Sequence, residues 1–335
     1  MRSHGYGFRW FESSDLDTFI AGMKENLFKS YDERRFHWKF IENPSHLDFI
    51  PIAVVQDKAT GEPVGFNSFL PLTLRIGEDR FTAVQGCDGF VSQSHRGRGL
   101  FAKTIEFMAK EFSVGGPELL MGFNVPASTV AAVRAGSLVV GTLNDSVLKR
   151  RRRGRSMARN GEKVFQVLPA SLEEVHRTYE NWAKTVSYVH TYRDQNYLNW
   201  RFVKDPIDMH QFHLMKAEDR DLGYIITSKT QEGNSIKLTI DDYVVEGNDH
   251  RLLSKAVSRI AEQQDNLGSI QIRGFPNSEL KRALAREGFQ EKTEPLYSLI
   301  LKGLGRNPTS NLGLAKRGVD LTRLDCWYLT DSDIL

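Results

Sequence analysis

The strongest constraint in this chain is that it repeats. Trp38-Lys39-Phe40-Ile41-Glu42-Asn43-Pro44 returns as Trp200-Arg201-Phe202-Val203-Lys204-Asp205-Pro206, keeping the aromatic positions, the basic residue between them and the proline. Four further matches follow in the same order: Gly65-Phe66 with Gly223-Tyr224, Asp88-Gly89-Phe90-Val91 with Asp241-Asp242-Tyr243-Val244, Gly122-Phe123-Asn124 with Gly274-Phe275-Pro276, and Gly136 with Gly288. The separation shrinks steadily along the chain, as shorter loops in the second copy would make it do. Ordered matches at so long a period signal a duplicated domain, and 335 residues suffice for two domains of ordinary size.

The element pattern agrees between the copies. Ser14-Asp15-Leu16-Asp17 and Ser171-Leu172-Glu173-Glu174 read as capping boxes that open helices. A second helix leads into each Trp-(Lys/Arg)-Phe element and stops at the proline. Strands are predicted at Ile52 to Val55, Pro63 to Phe69 and Arg80 to Val91, and again at His213 to Lys216, Leu222 to Thr227 and Lys237 to Val245, with Gly61 and Gly233 in turns between them. Helices at Leu100 to Phe112 and Arg251 to Gln264 come next, then strands at Leu119 to Phe123 and Ser269 to Ile272. A short helix and a last strand complete each copy. This order predicts an α/β fold in which each copy is a mixed, mostly antiparallel sheet flanked by helices. The expected domains are 1–148 and 165–335, joined by a linker at 149–164.

Charge is informative only at that seam. The formal net charge is +3, yet KRRRRGRSMARN at 149–160 holds seven basic residues and no acidic one, so the rest of the chain is slightly acidic. A nucleic-acid surface would interleave aromatics with its cations on a folded face. This segment has none, and a solvated linker is the favoured reading, with an anionic acceptor such as a nucleotide-sugar as the functional alternative. Cys87 and Cys326 are far apart and lack metal-ligand spacing, which suits a reducing cytoplasm and gives no support for a disulfide framework or zinc site. No run of about 18 apolar residues and no signal-peptide core is present, so no membrane partner is expected.

One motif carries chemistry. The strand ending Val91-Ser92-Gln93-Ser94-His95 passes directly into Arg96-Gly97-Arg98-Gly99-Leu100-Phe101, which opens a helix. A glycine turn at a helix amino terminus aims backbone N–H groups and partial positive charge at one anion, and two arginines add full charges. A pyrophosphate suits it, although the spacing is neither that of a P-loop nor that of a dinucleotide-binding Rossmann turn. The run resembles the acyl-CoA-binding motif of the GNAT N-acetyltransferases, (Gln/Arg)-x-x-Gly-x-(Gly/Ala), in the same strand-to-helix context. Phe101 departs from it, standing where glycine or alanine is usual. Phe123-Asn124-Val125-Pro126 and the helix after it likewise resemble the later GNAT strand and helix. The resemblance spans nearly the whole chain and is closest to bacterial tandem two-domain GNAT proteins.

That resemblance implies acetyl-CoA as acyl donor, bound by Val91, Arg96, Gly97, Arg98, Gly99, Leu100, Phe101 and Asn124, and no metal. It implies direct transfer to a primary amine of a small molecule, such as an amino sugar or amino acid derivative, in a cleft between the strands ending at Val91 and Asn124. A backbone N–H near Val91 would serve the oxyanion. The rival is a non-catalytic acyl-CoA-binding or regulatory module, favoured by Phe101 and by Ala131, which stands where many GNAT enzymes place the tyrosine that protonates the departing thiolate. In the second copy the turn reads Val245-Glu246-Gly247-Asn248-Asp249-His250-Arg251, whose acidic residues would repel phosphate. Cofactor binding therefore falls to the first copy.

Asp88 is the leading general base, since it lies just upstream of the expected thioester position; Asp241 at the same place in the second copy argues for a shared structural role instead. Trp38 and Trp200 read as core anchors rather than stacking platforms for substrate. His95 is either a cofactor contact or a solvated loop residue. Cys87 reads as a small buried thiol and not a nucleophile. The aromatic and acidic stretch Trp327 to Asp333 is expected to dock back on the sheet, and only its position suggests a catalytic role for Leu335.

Overall fold

The computed structural model describes residues 5–149, 165–274, 278–292, 296–304, 314–316 and 318–335. The first half runs β1 (Tyr6–Trp10), α1 (Leu16–Asn26), α2 (Glu33–Phe36), β2 (Ile52–Asp57), β3 (Pro63–Ile76), β4 (Asp79–Val91), α3 (Leu100–Phe112), β5 (Leu119–Asn124), α4 (Pro126–Arg134) and β6 (Leu138–Lys149). The second half repeats it as β7 (Gln166–Pro169), α5 (Leu172–Ala183), β8 (His190–Thr191), α6 (Gln195–Leu198), β9 (His210–Ala217), β10 (Arg220–Glu232), β11 (Ser235–Val245), α7 (His250–Glu262), β12 (Leu267–Gly274), α8 (Ser278–Arg286), β13 (Gln290–Glu291) and β14 (Tyr297–Gly303). A small hairpin, β15 (Ala315–Lys316) and β16 (Val319–Asp320), precedes the tail. The α/β class and the mixed, mostly antiparallel sheet flanked by helices are as expected, with β4–β5 and β11–β12 as the parallel pairs. No helix among the described residues is long and apolar enough to cross a membrane.

Three local expectations change. The opening strands β1 and β7, unforeseen in the sequence, add an edge to each half by pairing with β2 and β9. The capping box at Ser171 and Glu174 is present, but in the first half the box is formed by Glu12 and Asp15, and Ser14 lies inside the turn it caps. Arg9 decides this by gripping both Asp15 oxygens at 2.6 and 2.7 Å, so the carboxylate turns back toward the Glu12 amide. Lys149, expected to begin the linker, ends β6; the rest of that segment lies outside the described residues.

The larger difference is where the last strands go. Each half was expected to finish its own sheet. Instead β14 inserts between β5 and β6, and β6 pairs with β12 of the second half, so the order is β1-β2-β3-β4-β5-β14-β6-β12-β11-β10-β9-β7 in one continuous sheet. The two closing strands lie side by side, each hydrogen-bonded to the other half. Backbone ladders carry no sequence code for their partner.

The duplicated tryptophans explain the joint at the opposite layer. Trp38 and Trp200 sit in wide helical turns that prolong α2 and α6. Their rings stack with centroids 5.1 Å apart, and each indole donates to the other's backbone carbonyl, at 2.8 and 2.6 Å. Residue i meets j as j meets i, which is the contact rule of a two-fold axis. Around them one apolar cluster joins Phe19, Phe66 and Phe90 of the first half to Trp182, Trp200 and Tyr224 of the second. Burying each such ring stabilises the fold by roughly 1.5–3 kcal/mol, so the halves share a core as well as a sheet.

Candidate active site

The cleft begins where a ladder stops. β4 and β5 pair only from Ala83↔Leu119 to Gly86↔Gly122, and beyond those residues the strands part. Cys87 to Val91 then keep β3 as their neighbour on one side only. A cavity of about 490 Å³ opens at the fork, walled by Gly86, Asp88, Gly89, Phe101, Phe123 and Asn124 among others. Its volume lies in the range of small-molecule sites. Arg273 and Tyr297 from the second half also line it, as do Ile334 and Leu335. The tail brings these last two there by docking: the Tyr328 hydroxyl donates to the Tyr243 carbonyl at 2.7 Å and the Tyr328 amide to the Val189 carbonyl at 2.9 Å.

The turn beside the fork is built to leave N–H groups free. Gly97 and Gly99 hold φ of 77° and 72°, the left-handed region that only glycine enters without strain, and the space where a Cβ would project is open at both. Gly99 precedes α3, whose amino terminus has no side-chain cap. The arginines brace this turn rather than hang free. Arg96 donates to the Val91 carbonyl at 2.9 Å and to Asn26 of α1 at 2.6 Å, while Arg98 reaches Tyr6 and the Ser94 carbonyl. His95 accepts or donates to the Tyr6 hydroxyl at 2.9 Å, completing the link to β1. Phe101 turns its ring away from the turn and against Gly89, where an added Cβ would come within 2.9 Å of it. The open cradle and the uncapped helix end suit a pyrophosphate.

The second half closes both features. Asp249 caps α7 with its own carboxylate, accepting from the amides of Arg251 and Leu252 at 2.9 and 3.1 Å. The corresponding fork between β11 and β12 is filled by the tail turn Asp331–Asp333, which packs against both strands. There Arg193 binds Asp242 and Asp333 at 2.9 and 3.0 Å with all three side chains at most 1% exposed, and Thr330 donates to Asp242 at 2.7 Å.

Asp88 occupies a β-bulge at φ 27°, opposite the step from Asn67 to Ser68. Its carboxylate pairs with Lys39 at 2.7 Å, the two side chains 4% and 1% exposed, and the Tyr31 hydroxyl stands 3.5 Å away. Burial first, and then the Asp88 charge, push the Tyr31 phenol well above its ordinary range. Neighbouring Cys87 is pushed up to about 12 by burial, so at neutral pH it is a thiol and a poor nucleophile. Asp241 takes the matching bulge in β11 but bonds differently, accepting from Ser228 and meeting His210 at 3.0 Å. Lys39 was visible only as the basic residue retained in the repeat. Arg35, Tyr31 and Tyr297 carried no signal, because their nearness to the fork depends on the helix α2 and on the exchanged strand β14.

No protein-family profile matches the chain, and no curated protein matches it either. Solved structures do. A GCN5-related N-acetyltransferase from Anabaena variabilis aligns over 89% of this chain and 73% of its own at 14% identity, with a TM-score of 0.67. The chain has the GNAT fold. Eis1 from Mycobacterium abscessus aligns over 89% and 74% with a TM-score of 0.58, and a GCN5-related N-acetyltransferase from Kribbella flavida over 89% and 71% with 0.59, both at 14% identity. The expected GNAT architecture, over nearly the whole length, is thereby present.

Proposed function

We propose that this GNAT-fold chain transfers an acyl group, most simply acetyl, from acyl-CoA to the primary amine of a small molecule, with a single site in its first half. The observation that carries the reading is the pairing of an uncapped, glycine-turned helix end at α3 with a forked pair of parallel strands opening on a cavity, while the second half has both features blocked. The Gly97 to Leu100 backbone would hold the pyrophosphate, with Arg96 and Arg98 fixing the turn and adding positive charge. Asn124 and the β4 edge down to Val91 would flank the pantetheine arm, and Phe101 would close the inner wall.

For the amine to attack, it must be neutral, and the developing oxyanion must meet a fixed donor; the free β4 edge provides backbone N–H groups of that kind. The Lys39 pair supports the structural reading of Asp88, since its carboxylate is already engaged at 2.7 Å by a buried ammonium. Tyr297 brings a phenol to the same wall and stands in for the tyrosine missing at Ala131 as donor to the departing thiolate. The acceptor class, an amino sugar or amino acid derivative, is supported by a cavity that both halves build, and a cytoplasmic setting by the two unpaired cysteines.

Calorimetric titration with acetyl-CoA, followed by thioester-cleavage assays over an amine panel, tests this. Binding with turnover on an amine supports the transferase. Tight binding with no turnover on any amine would favour a non-catalytic acyl-CoA sensor, and absence of binding would remove both.

A further inference from the structure

Among the described residues, one cation bordering the acceptor site forms no ion pair. A second cavity of about 190 Å³ adjoins the first at the seam between the halves, and Arg35, Arg273, Ile334 and Leu335 line both. Its other basic groups are matched: Lys39 by Asp88 at 2.7 Å, Arg201 by Asp205 at 3.0 Å, and Arg273 by Asp145 and Asp331 at 3.1 and 2.7 Å. His210 is matched too, lying 3.2 Å from Asp205 and 3.0 Å from Asp241. Arg35 is the exception, pairing with no carboxylate among the described residues. Its guanidinium lies over the Phe28 ring at 4.3 Å and the Tyr31 ring at 5.2 Å, and its Nε is buried without a hydrogen-bond partner.

Aromatic faces hold a guanidinium in place and compensate part of its lost hydration, but they leave its in-plane donors unused. Those donors suit a planar or tetrahedral oxyanion, which a fork of N–H groups binds in a bidentate manner. The nearby Asp88 carboxylate forms no ion pair with Arg35 and is held instead by Lys39 through Oδ2. We infer that Arg35 is a specificity residue for an acceptor that carries an anionic group, a carboxylate or a phosphate monoester, in addition to its amine. The inference rests on the acyl-transfer reading for the amine end, and on Arg35 alone for the anionic end.

The test uses matched pairs of amines: free L-amino acids against their carboxamides, and phosphoethanolamine against ethanolamine. Each is titrated calorimetrically into CoA-saturated protein and assayed with acetyl-CoA. The anionic member of at least one pair should bind and react better, mainly through a lower KM, and Arg35→Gln should erase that preference by roughly 10- to 100-fold, the range for losing a hydrogen bond to a charged group. Arg35→Lys should keep part of it, and neutral amines should be indifferent to both changes. The responding pair tells carboxylate from phosphate. Because binding is read without turnover, an anionic preference that depends on Arg35 sustains the inference even if every amine fails to react, in which case the transferase reading alone falls. Equal binding of charged and neutral members, no binding of any anionic probe, or a preference untouched by Arg35→Gln in protein of unchanged circular dichroism overturns it and leaves the transferase reading intact.

Discussion

Replacing Lys39 with methionine separates the two roles open to Asp88. The pair is 2.7 Å apart and almost wholly out of water, with side chains 1% and 4% exposed. Removing one member of such a pair costs about 3–5 kcal/mol, most of it the penalty of a buried charge left without its partner. Asp88→Asn strands the ammonium and should cost a similar amount. The double variant leaves no charge behind, so it should recover about 3 kcal/mol relative to the sum of the single changes, the upper end of coupling for groups in contact. Urea unfolding followed by tryptophan fluorescence measures all four proteins, and the shared sheet should make both halves unfold together. Turnover supplies the second axis. Were Asp88 the general base, Asp88→Asn would lose about 10²–10⁴ in rate, whereas Lys39→Met would free the carboxylate and keep activity. The ion-pair account is refuted if the double variant is as unstable as the summed singles, or if Asp88→Asn abolishes turnover without touching stability.

Other perturbations address the cradle, the seam and the buried imidazoles. Gly99→Asp sets a carboxylate at the start of α3, where α7 has Asp249, and Gly99→Asn is the control for the strain of a side chain at φ 72°; like charge about 5 Å from the phosphates at an effective dielectric near 20 opposes binding by ~3 kcal/mol, so calorimetry should show the Asp variant binding acetyl-CoA roughly 100-fold more weakly than the Asn variant. Trp38→Phe and Trp200→Phe each strip a donor from a buried carbonyl and should cost about 1–3 kcal/mol in urea unfolding, the double variant less than the sum because one stacked pair is lost either way. His190 and His213 are held down to about 3 and about 4 by burial, so they fold neutral. Their folded values lie below the unfolded one, and stability should be intact above pH ~6.5 and fall as pH drops below it. Burial would lower His210 also, but hydrogen bonds to Asp205 and Asp241 outweigh it and lift it to about 9. Its contribution should be complete below pH ~6.5 and disappear as pH rises through 9, and His210→Gln should flatten unfolding-midpoint curves over that alkaline interval.

Much of this molecule could be read before any coordinates. The order of most elements, the bounds of α3 and the acidic, capped turn of the second half follow from local signals: turn glycines, helical spacing, and Asp249 at the start of α7. What escaped was set by contacts distant in sequence. Tyr6–Trp10 became a strand on the open edge of β2, and the alternation of Tyr6, Phe8 and Trp10 is the short signal that marks it. The closing strands crossed over because a ladder pairs backbone with backbone and ignores which copy supplies it. The far wall of the cavity was hidden for the same reason. Arg35 and Tyr297 are 262 positions apart in the chain and meet at one cavity only once β14 has entered the first half.

The reciprocal tryptophans and the traded final strands are the contacts that two identical chains make when they associate about an axis. Joined end to end, the two units no longer have to be identical. A carboxylate at position 249 changes one turn and leaves the other as it was, and a tail can fill one fork while its last residues border the other. In a dimer of single units each of these changes would appear twice and close both forks; in the fused chain one unit carries the plug in its own fork and lends its twin a wall.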